Sequence, residues 1–307
     1  MTILEIVWNF EPRVIPAWKM PAWYGIMWAL GFYLGFIILN RMYKSEKVPD
    51  AWMDKTFIYV LIGGVLGARL GHCLFYQPDI YLKDPIQILK IWEGGLASHG
   101  GAVGIIIAAW LLARKVTKTN ILWVLDRLVV PTTLAGGLIR MGNLFNHEIV
   151  GIATGTDYGF KFLRHDIPGS MAMQITGKSY DKLGEAYDLI AHDPRYADWL
   201  AAVPNRYPAQ LYEAICYFII FGFIFFLYWK TNAAKLQGFL VGFFFVTVFG
   251  VRFLVEFIKE NQEGIDQGLT GLNMGQYLSI PLVLIGLFLM FRKIKFLRKG
   301  KDTEVAG

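Results

Sequence analysis

The chain has 307 residues and a formal net charge of +6, with 55% hydrophobic and only 18% charged residues; its mean hydropathy is +0.42. Soluble domains carry about a quarter charged residues, so this balance excludes an ordinary soluble domain and reads as a polytopic membrane protein. The basic excess does not point to nucleic acid, because Lys and Arg fall in short loops between apolar runs, where they act as topology signals aided by anionic lipid.

A spanning helix needs about 20 mostly apolar residues. Seven segments qualify or nearly so: 22–40, 57–76, 99–113, 121–142, 209–229, 237–258 and 275–291. The third is short and begins glycine-rich. The expected fold is an all-α polytopic membrane protein with about seven transmembrane helices, forming one integral membrane domain over 1–307. The first twenty residues hold Glu5, Glu11 and Pro12 and no clean apolar core, so no cleavable signal peptide is expected. Trp18, Trp23, Trp52, Trp92, Trp123 and Trp229 sit at segment ends, as interfacial aromatic belts do. Cys73 and Cys216 lie inside apolar runs and read as small buried residues rather than a disulfide.

Orientation follows from the loops. Arg41, Lys44, Lys47 and Lys55, then Arg114, Lys115 and Lys118, then Lys230 and Lys235, then the tail from Arg292 to Lys301 all fall on one face if there are seven spans. That face is expected to be cytoplasmic. The N-terminus, the 77–98 loop, the 147–208 segment and the 259–274 loop are then outside. The 147–208 segment mixes Gly, Asp, Tyr and Lys, with a short helix expected near 180–200, and is too small for a large independent core. It is expected to form a small extracytoplasmic (periplasmic) cap. No internal repeat is present, and the unequal spans count against a transporter built from matching halves.

Polar residues converge on this topology. Arg140-Met-Gly-Asn-Leu-Phe-Asn-His-Glu148 follows the apolar run 128–139 and concentrates ionisable groups at membrane depth, where they are seldom placed without a task. Tyr24 falls at the outer end of the first span and His99 at the outer end of the third. Arg140 and Asn143 end the fourth, with Asn146 and Glu148 just beyond. Arg252 and Glu256 lie four apart on one face in the outer half of the sixth. Two arginines at headgroup level suit a phosphate. His99, in the run Ser98-His-Gly-Gly-Ala-Val-Gly104, offers a proton acceptor near neutrality, and Gly100, Gly101 and Gly104 allow close approach of backbone and ligand. No Gly-x-Ser-x-Gly elbow occurs, so the attacking group is expected from a substrate. No metal-ligand spacing is seen. Plainer readings stand beside these. Arg252 with Glu256 can be a structural ion pair, and the glycines can serve helix packing alone. Arg69, Asp126 and Arg127 read as packing or interface residues, and His72 and His147 as local hydrogen-bonding residues.

At these residues the chain resembles the bacterial prolipoprotein diacylglyceryl transferases. The family pattern Gly-Arg-x-Gly-Asn-Phe-x-Asn-x-Glu reads here Ile139-Arg-Met-Gly-Asn-Leu-Phe-Asn-His-Glu148, with Ile139 for the leading Gly and the aromatic displaced to Phe145. Further matches are Trp23-Tyr-Gly-Ile-Met27, Gly67-Ala-Arg-Leu-Gly71 with Phe75-Tyr76, and Trp92-Glu-Gly-Gly95 leading to His99. Later come Tyr207-Pro-Ala-Gln-Leu-Tyr-Glu213, Phe249-Gly-Val-Arg-Phe-Leu-Val-Glu-Phe257 and Met274-Gly-Gln-Tyr-Leu-Ser-Ile-Pro281. Tyr207 stands where many members have His.

The resemblance implies transfer of diacylglyceryl from phosphatidylglycerol to the lipobox cysteine thiol of a prolipoprotein signal peptide. A thioether forms, glycerol phosphate leaves, and no cofactor takes part. It implies Arg140 and Arg252 on the lipid phosphate, His99 taking the thiol proton directly or through Tyr24 or water, and Asn143, Asn146 and Glu148 orienting the headgroup and arginines. Glu256 would hold Arg252. The expected location is the bacterial inner membrane, with the N-terminus outside, the C-terminus cytoplasmic and the site facing the outer leaflet. The alternative is a transporter or channel for an anionic lipid or solute, which should carry polar residues through the full membrane depth.

Overall fold

Inside a bilayer an apolar stretch satisfies its backbone within itself only as a helix. Among the described residues of the computed structural model (5–15, 21–81, 83–90, 95, 97–260 and 271–304), seven helices are long and apolar enough to cross a membrane. After a short strand β1 (Glu5–Trp8), the chain runs through α1 (Trp23–Ser45) and α2 (Ala51–Phe75) to a single turn, α3 (Pro78–Tyr81). Next come α4 (Ser98–Leu112), which widens into a π turn over Ala113–Thr117, and α5 (Ile121–Phe145). The segment between α5 and the next span carries β2 (Gly159–Phe162), α6 (Leu163–Asp166), α7 (Gly169–Thr176), α8 (Leu183–His192) and α9 (Ala197–Ala202). The chain closes with α10 (Ala209–Lys230), α11 (Phe239–Val255) and α12 (Met274–Glu304).

All seven expected spans are present. Hydropathy marked the apolar part of each helix, whereas α1 runs on through Arg41–Ser45 and α2 begins at Ala51, since a helix need not stop where the apolar run does. Trp18, Trp92 with the following Glu93 and Gly94, and residues 261–270 lie outside the described residues.

Two seams of small residues set the helix packing. On α2, Gly63, Gly67 and Gly71 face Gly100, Gly104 and Ala108 of α4, so the backbones touch along the whole contact. A methyl added at Gly71 would lie 2.7 Å from Gly100 Cα, and one at Gly63 would lie 2.7 Å from Gly104 O. On the other side of the bundle, Gly242 of α11 meets Gly286 O of α12 in the same way.

The end of the bundle away from the cap is locked by polar groups that are fully used. Asp126, completely buried, accepts hydrogen bonds from the N–H groups of Gly238 (2.5 Å) and Val241 (3.0 Å), which caps the start of α11. Arg127 donates to Glu46 at 3.0–3.2 Å and lies 4.2 Å over the Trp123 ring, while the Tyr228 hydroxyl donates to the same carboxylate at 2.5 Å. The expectation that Asp126 and Arg127 are packing residues holds. Cys73 is buried and Cys216 half-buried, and both are free thiols.

Residues 147–208 fold over the opposite end, around Leu163, Ile167, Tyr187 and Ile190. The short helix expected near 180–200 is present as α8 and α9. Unforeseen is the parallel pairing of β1 with β2, in register from Glu5–Gly159 to Trp8–Phe162, which ties the N-terminus to the cap. Arg164 pairs with Glu11 at 2.8 Å, reinforcing the attachment, and Arg206 pairs with Asp166 at 2.6 Å within the cap.

The seam makes a test. Gly104→Ala should lower unfolding stability in detergent by about 1–3 kcal/mol, the usual effect of overpacking. Gly101→Ala should be nearly neutral, because its methyl would meet Ala68 Cβ at an ordinary 3.5 Å. Equal behaviour of the two variants would contradict this packing.

Candidate functional site at the cap end of the bundle

The end of α5 is where the polar run begins. Its final turn carries Arg140 and Asn143 inward, and Gly142 lets α1 close on it: a side chain there would meet Tyr24 Cδ2 at 2.9 Å. After α5 the chain turns through two left-handed residues, His147 (φ 56°) and Ile149 (φ 58°). A β-branched residue in that region is strained, and such strain persists only where surrounding contacts hold it. Here the Glu148 N–H bonds to Asn143 O (2.9 Å) and His147 Nε2 lies 2.9 Å from Phe10 O. The strained turn swings the Glu148 carboxylate back over the helix end. It accepts from Asn143 Nδ2 (3.3 Å) and Asn146 Nδ2 (3.2 Å), and Asn143 Oδ1 accepts in turn from Arg140 Nη1 at 3.2 Å.

The partner that fixes Arg140 comes from α10. Arg140 Nε lies 2.6 Å from Glu213 Oε2, with the carboxylate side chain 1% exposed and the guanidinium 14%. Sequence reasoning quoted Glu213 within a motif but gave it no role. The signal was available: an acid one turn into a span, at the depth of Arg140. Tyr217, one turn further along α10, and Tyr24 are also electrostatic neighbours of Arg140.

A third cation joins from beyond α11. Residues 150–152 pair with 258–260 through Ile152 N–H to Ile258 O (2.9 Å) and Glu260 N–H to Val150 O (3.1 Å). This clamp sets Lys259, 9% exposed, beside Glu213, Arg140, Glu256 and Arg252. Burial pushes its pKa down, and the carboxylates of Glu213 and Glu256 oppose that. Sequence analysis placed Lys259 at the start of a loop and overlooked it, although it follows Arg252 by seven residues and Glu256 by three, on the same helical face.

Two expectations are corrected. Glu256 pairs with Lys259 (3.4 Å), not with Arg252, and its carboxylate packs on Gly275 of α12; among the described residues Arg252 makes no hydrogen bond or ion pair. Gly100 and Gly104 face α2 in the helix seam, where close backbone packing leaves no room for a ligand, and Gly101 lies in ordinary contact with Ala68 of α2. Among the described residues His99 shows no contact with the Arg140 cluster. Its ring is exposed and stacks on Tyr76 (5.6 Å), which stacks on His72 (5.7 Å). It does lie at the cap end of α4. Arg69 is a clamp, donating to the carbonyls of Gln87 (2.6 Å), Ile88 (2.9 Å) and Gly95 (3.3 Å). The displaced aromatic Phe145 stacks on Phe10 at 4.7 Å and holds the N-terminal segment against α1.

Arg140 and Glu213 both lie within a stretch that matches a known family. The sequence pattern of the family described as prolipoprotein diacylglyceryl transferase matches residues 16–292. This chain belongs to that family. Proteins named phosphatidylglycerol–prolipoprotein diacylglyceryl transferase from Porphyromonas gingivalis and Chloroherpeton thalassium are 43% and 40% identical to it, each over 94% of this chain and 95% of the relative. One of that name from Tolumonas auensis is 39% identical, over 94% of this chain and 98% of its own. Three spans, α5, α10 and α11 with the residues that follow it, deliver cations and acids to one end of the bundle.

The strained turn yields a pH test. Burial pushes the His147 pKa down from 6.5 to about 4, partly offset by the Phe10 carbonyl. As pH falls the unfolded chain takes up the proton first, so this residue's contribution is full above pH 6.5 and is lost on the way to about 4. Unfolding of the wild type should weaken over that window by about 3 kcal/mol more than unfolding of His147→Asn. Parallel curves for the two proteins would show that His147 is not held neutral.

Proposed function

We propose that this membrane protein transfers the diacylglyceryl group of phosphatidylglycerol to the lipobox cysteine thiol of a prolipoprotein, releasing glycerol phosphate. The observation that carries this reading is Arg140 held rigidly on Glu213 and Asn143, with Arg252 and Lys259 gathered on the same side. Nε is in an ion pair with Glu213, Nη1 donates to Asn143 and Tyr217 is a further side-chain partner, and the remaining guanidinium N–H groups suit a ligand.

The charge change in the reaction suits three cations. The thiol sulfur attacks the glycerol carbon that bears the phosphate ester. The S–C bond forms, the C–O bond breaks, and the electron pair leaves on the phosphate oxygen. A phosphodiester with one negative charge becomes a monoester carrying about −1.5 to −2. Positioned cations therefore bind the departing group more strongly than the bound lipid, which is the condition for accelerating the chemical step.

His99 is the proton acceptor in this reading. It stands at the cap end of α4 with an exposed ring, so the thiol approaches between it and the arginines, and the proton passes directly or through Tyr24 or water. Asn146 and Glu148 orient the headgroup through the strained turn. Gln210 shares a face of α10 with Glu213, is fully buried, and among the described residues its amide has no hydrogen-bond partner; it suits the glycerol hydroxyls. The cap end faces the outer leaflet of the bacterial inner membrane, consistent with Lys and Arg in the loops at the other end. The 147–208 cap then lies outside, where the signal peptide of a secreted protein arrives. A transport path is not favoured, because the polar groups at the far end are consumed by Asp126 capping α11 and Arg127 pairing with Glu46.

Purified protein in phosphatidylglycerol vesicles with a synthetic lipobox peptide should give a peptide carrying the mass of one diacylglyceryl group. Arg140→Lys keeps the charge but not the fork, and turnover should fall by about 10²–10³-fold, the range for losing one donor to developing charge. No adduct from the wild type, with phosphatidylglycerol left intact, would refute the reading.

A further inference from the structure

An apolar cavity of about 240 Å³ lies between α1, α2 and α5. Its top wall is Ile139, the residue preceding Arg140, and its lower lining includes Leu39, Met53 and Leu128. The top of the cavity is one residue along α5 from Arg140.

Its wall offers carbon alone. The two polar residues that line it, Thr56 and Thr132, turn their hydroxyls to the carbonyls of Trp52 and Leu128, each at 2.7 Å. No donor or acceptor there awaits a polar ligand. On α1, Gly31 and Gly35 let the helix lie close on Ala135 and Pro131 of α5. Trp28, Phe32 and Phe36, spaced four apart on α1, also line the cavity and are 36–40% exposed, forming the lip toward the lipid.

Length and closure complete the picture. From Ile139 to Leu128 the groove follows α5 for about 16 Å at 1.5 Å per residue. That is close to half of a hydrocarbon core about 30 Å thick, the depth one acyl chain occupies in a leaflet. The bottom is shut: Leu39 and Met53 are buried, and Tyr43 OH and Thr56 Oγ1 share a hydrogen bond of 3.2 Å just below.

We propose that this groove receives one acyl chain of the diacylglyceryl donor, and that its floor at Leu39, Met53 and Thr56 limits the chain length the enzyme uses well. The inference rests on the transferase reading for its choice of lipid. It also explains how a freely diffusing phospholipid is brought to a fixed register: one chain in a closed groove sets the height of its phosphate against Arg140.

Thr132 lines the groove at mid-height and is exposed, so Thr132→Phe can block it without disturbing the core. With dioleoyl phosphatidylglycerol, the kcat/KM of this variant should fall about tenfold, as pockets do when methylenes lose their place. With dihexanoyl phosphatidylglycerol, whose chains end above Thr132, it should match the wild type. Equal effects on both donors, or none on either, would overturn the proposal. Cross-linking gives a readout independent of turnover. Phosphatidylglycerol with a photoreactive group at its acyl terminus should label α1 or α2 near Leu39 and Met53, and the label should be lost in Thr132→Phe. Labelling confined to α10–α12 would overturn the groove. If the wild type makes no adduct from either donor, the transferase reading fails, while the cross-link still decides where an acyl chain lies.

Discussion

Everything at the cap end depends on the contact between Arg140 and Glu213. A guanidinium taken that far out of water is costly unless a carboxylate meets it with good geometry, and removing one partner of such a pair typically costs 3–5 kcal/mol. Here the acid is almost wholly buried and its distance to Nε is 2.6 Å. The pair joins α5 to α10 and fixes the plane of the guanidinium. With Nε in an ion pair with Glu213 and Nη1 bonded to Asn143, the guanidinium is held from two sides. Asn143 is itself held by Glu148, and Glu148 is held by a turn that only strained residues complete.

The rest of the fold can be understood as what lets these helices reach one another. Gly142 admits the Tyr24 ring, and the seam of α2 with α4 brings the start of α4, with His99, to the same end as the end of α5. Backbone pairing of residues 150–152 with 258–260 carries Lys259 to the cluster. At the far end, Asp126, Arg127 and Glu46 are spent on capping and pairing, which anchors the bundle. The apolar groove between α1, α2 and α5 extends that logic into the membrane: a polar head and an apolar slot match the two halves of a phospholipid.

The spans were legible in the sequence because the requirement for about 20 apolar residues leaves little freedom, and the arginines were legible because charge at membrane depth is rare. Partnerships were not. Arg252 and Glu256 share a helical face and so looked like a pair, but Lys259 lies closer once α11 tightens at its end and the clamp to residue 150 forms. The glycines of α4 looked like a ligand cradle, since a glycine run has the same appearance whether a substrate or a second helix lies against it. Only the matching Gly63, Gly67 and Gly71 of α2 distinguish the two. The pairing of Glu5–Trp8 with Gly159–Phe162 joins four-residue strands far apart in the chain, too short to leave a pattern. Glu213 was visible as a residue and invisible as a partner, because no local spacing links α5 to α10.

The most direct measurement is a cryo-electron microscopy structure of the protein in nanodiscs of phosphatidylglycerol. The account predicts a lipid phosphate within about 2.7–2.9 Å of the free Nη atoms of Arg140, with Arg252 on the same phosphate and Glu213 still on Nε. A lipid phosphate bound away from both arginines, with the Arg140 guanidinium contacting protein alone, would contradict it.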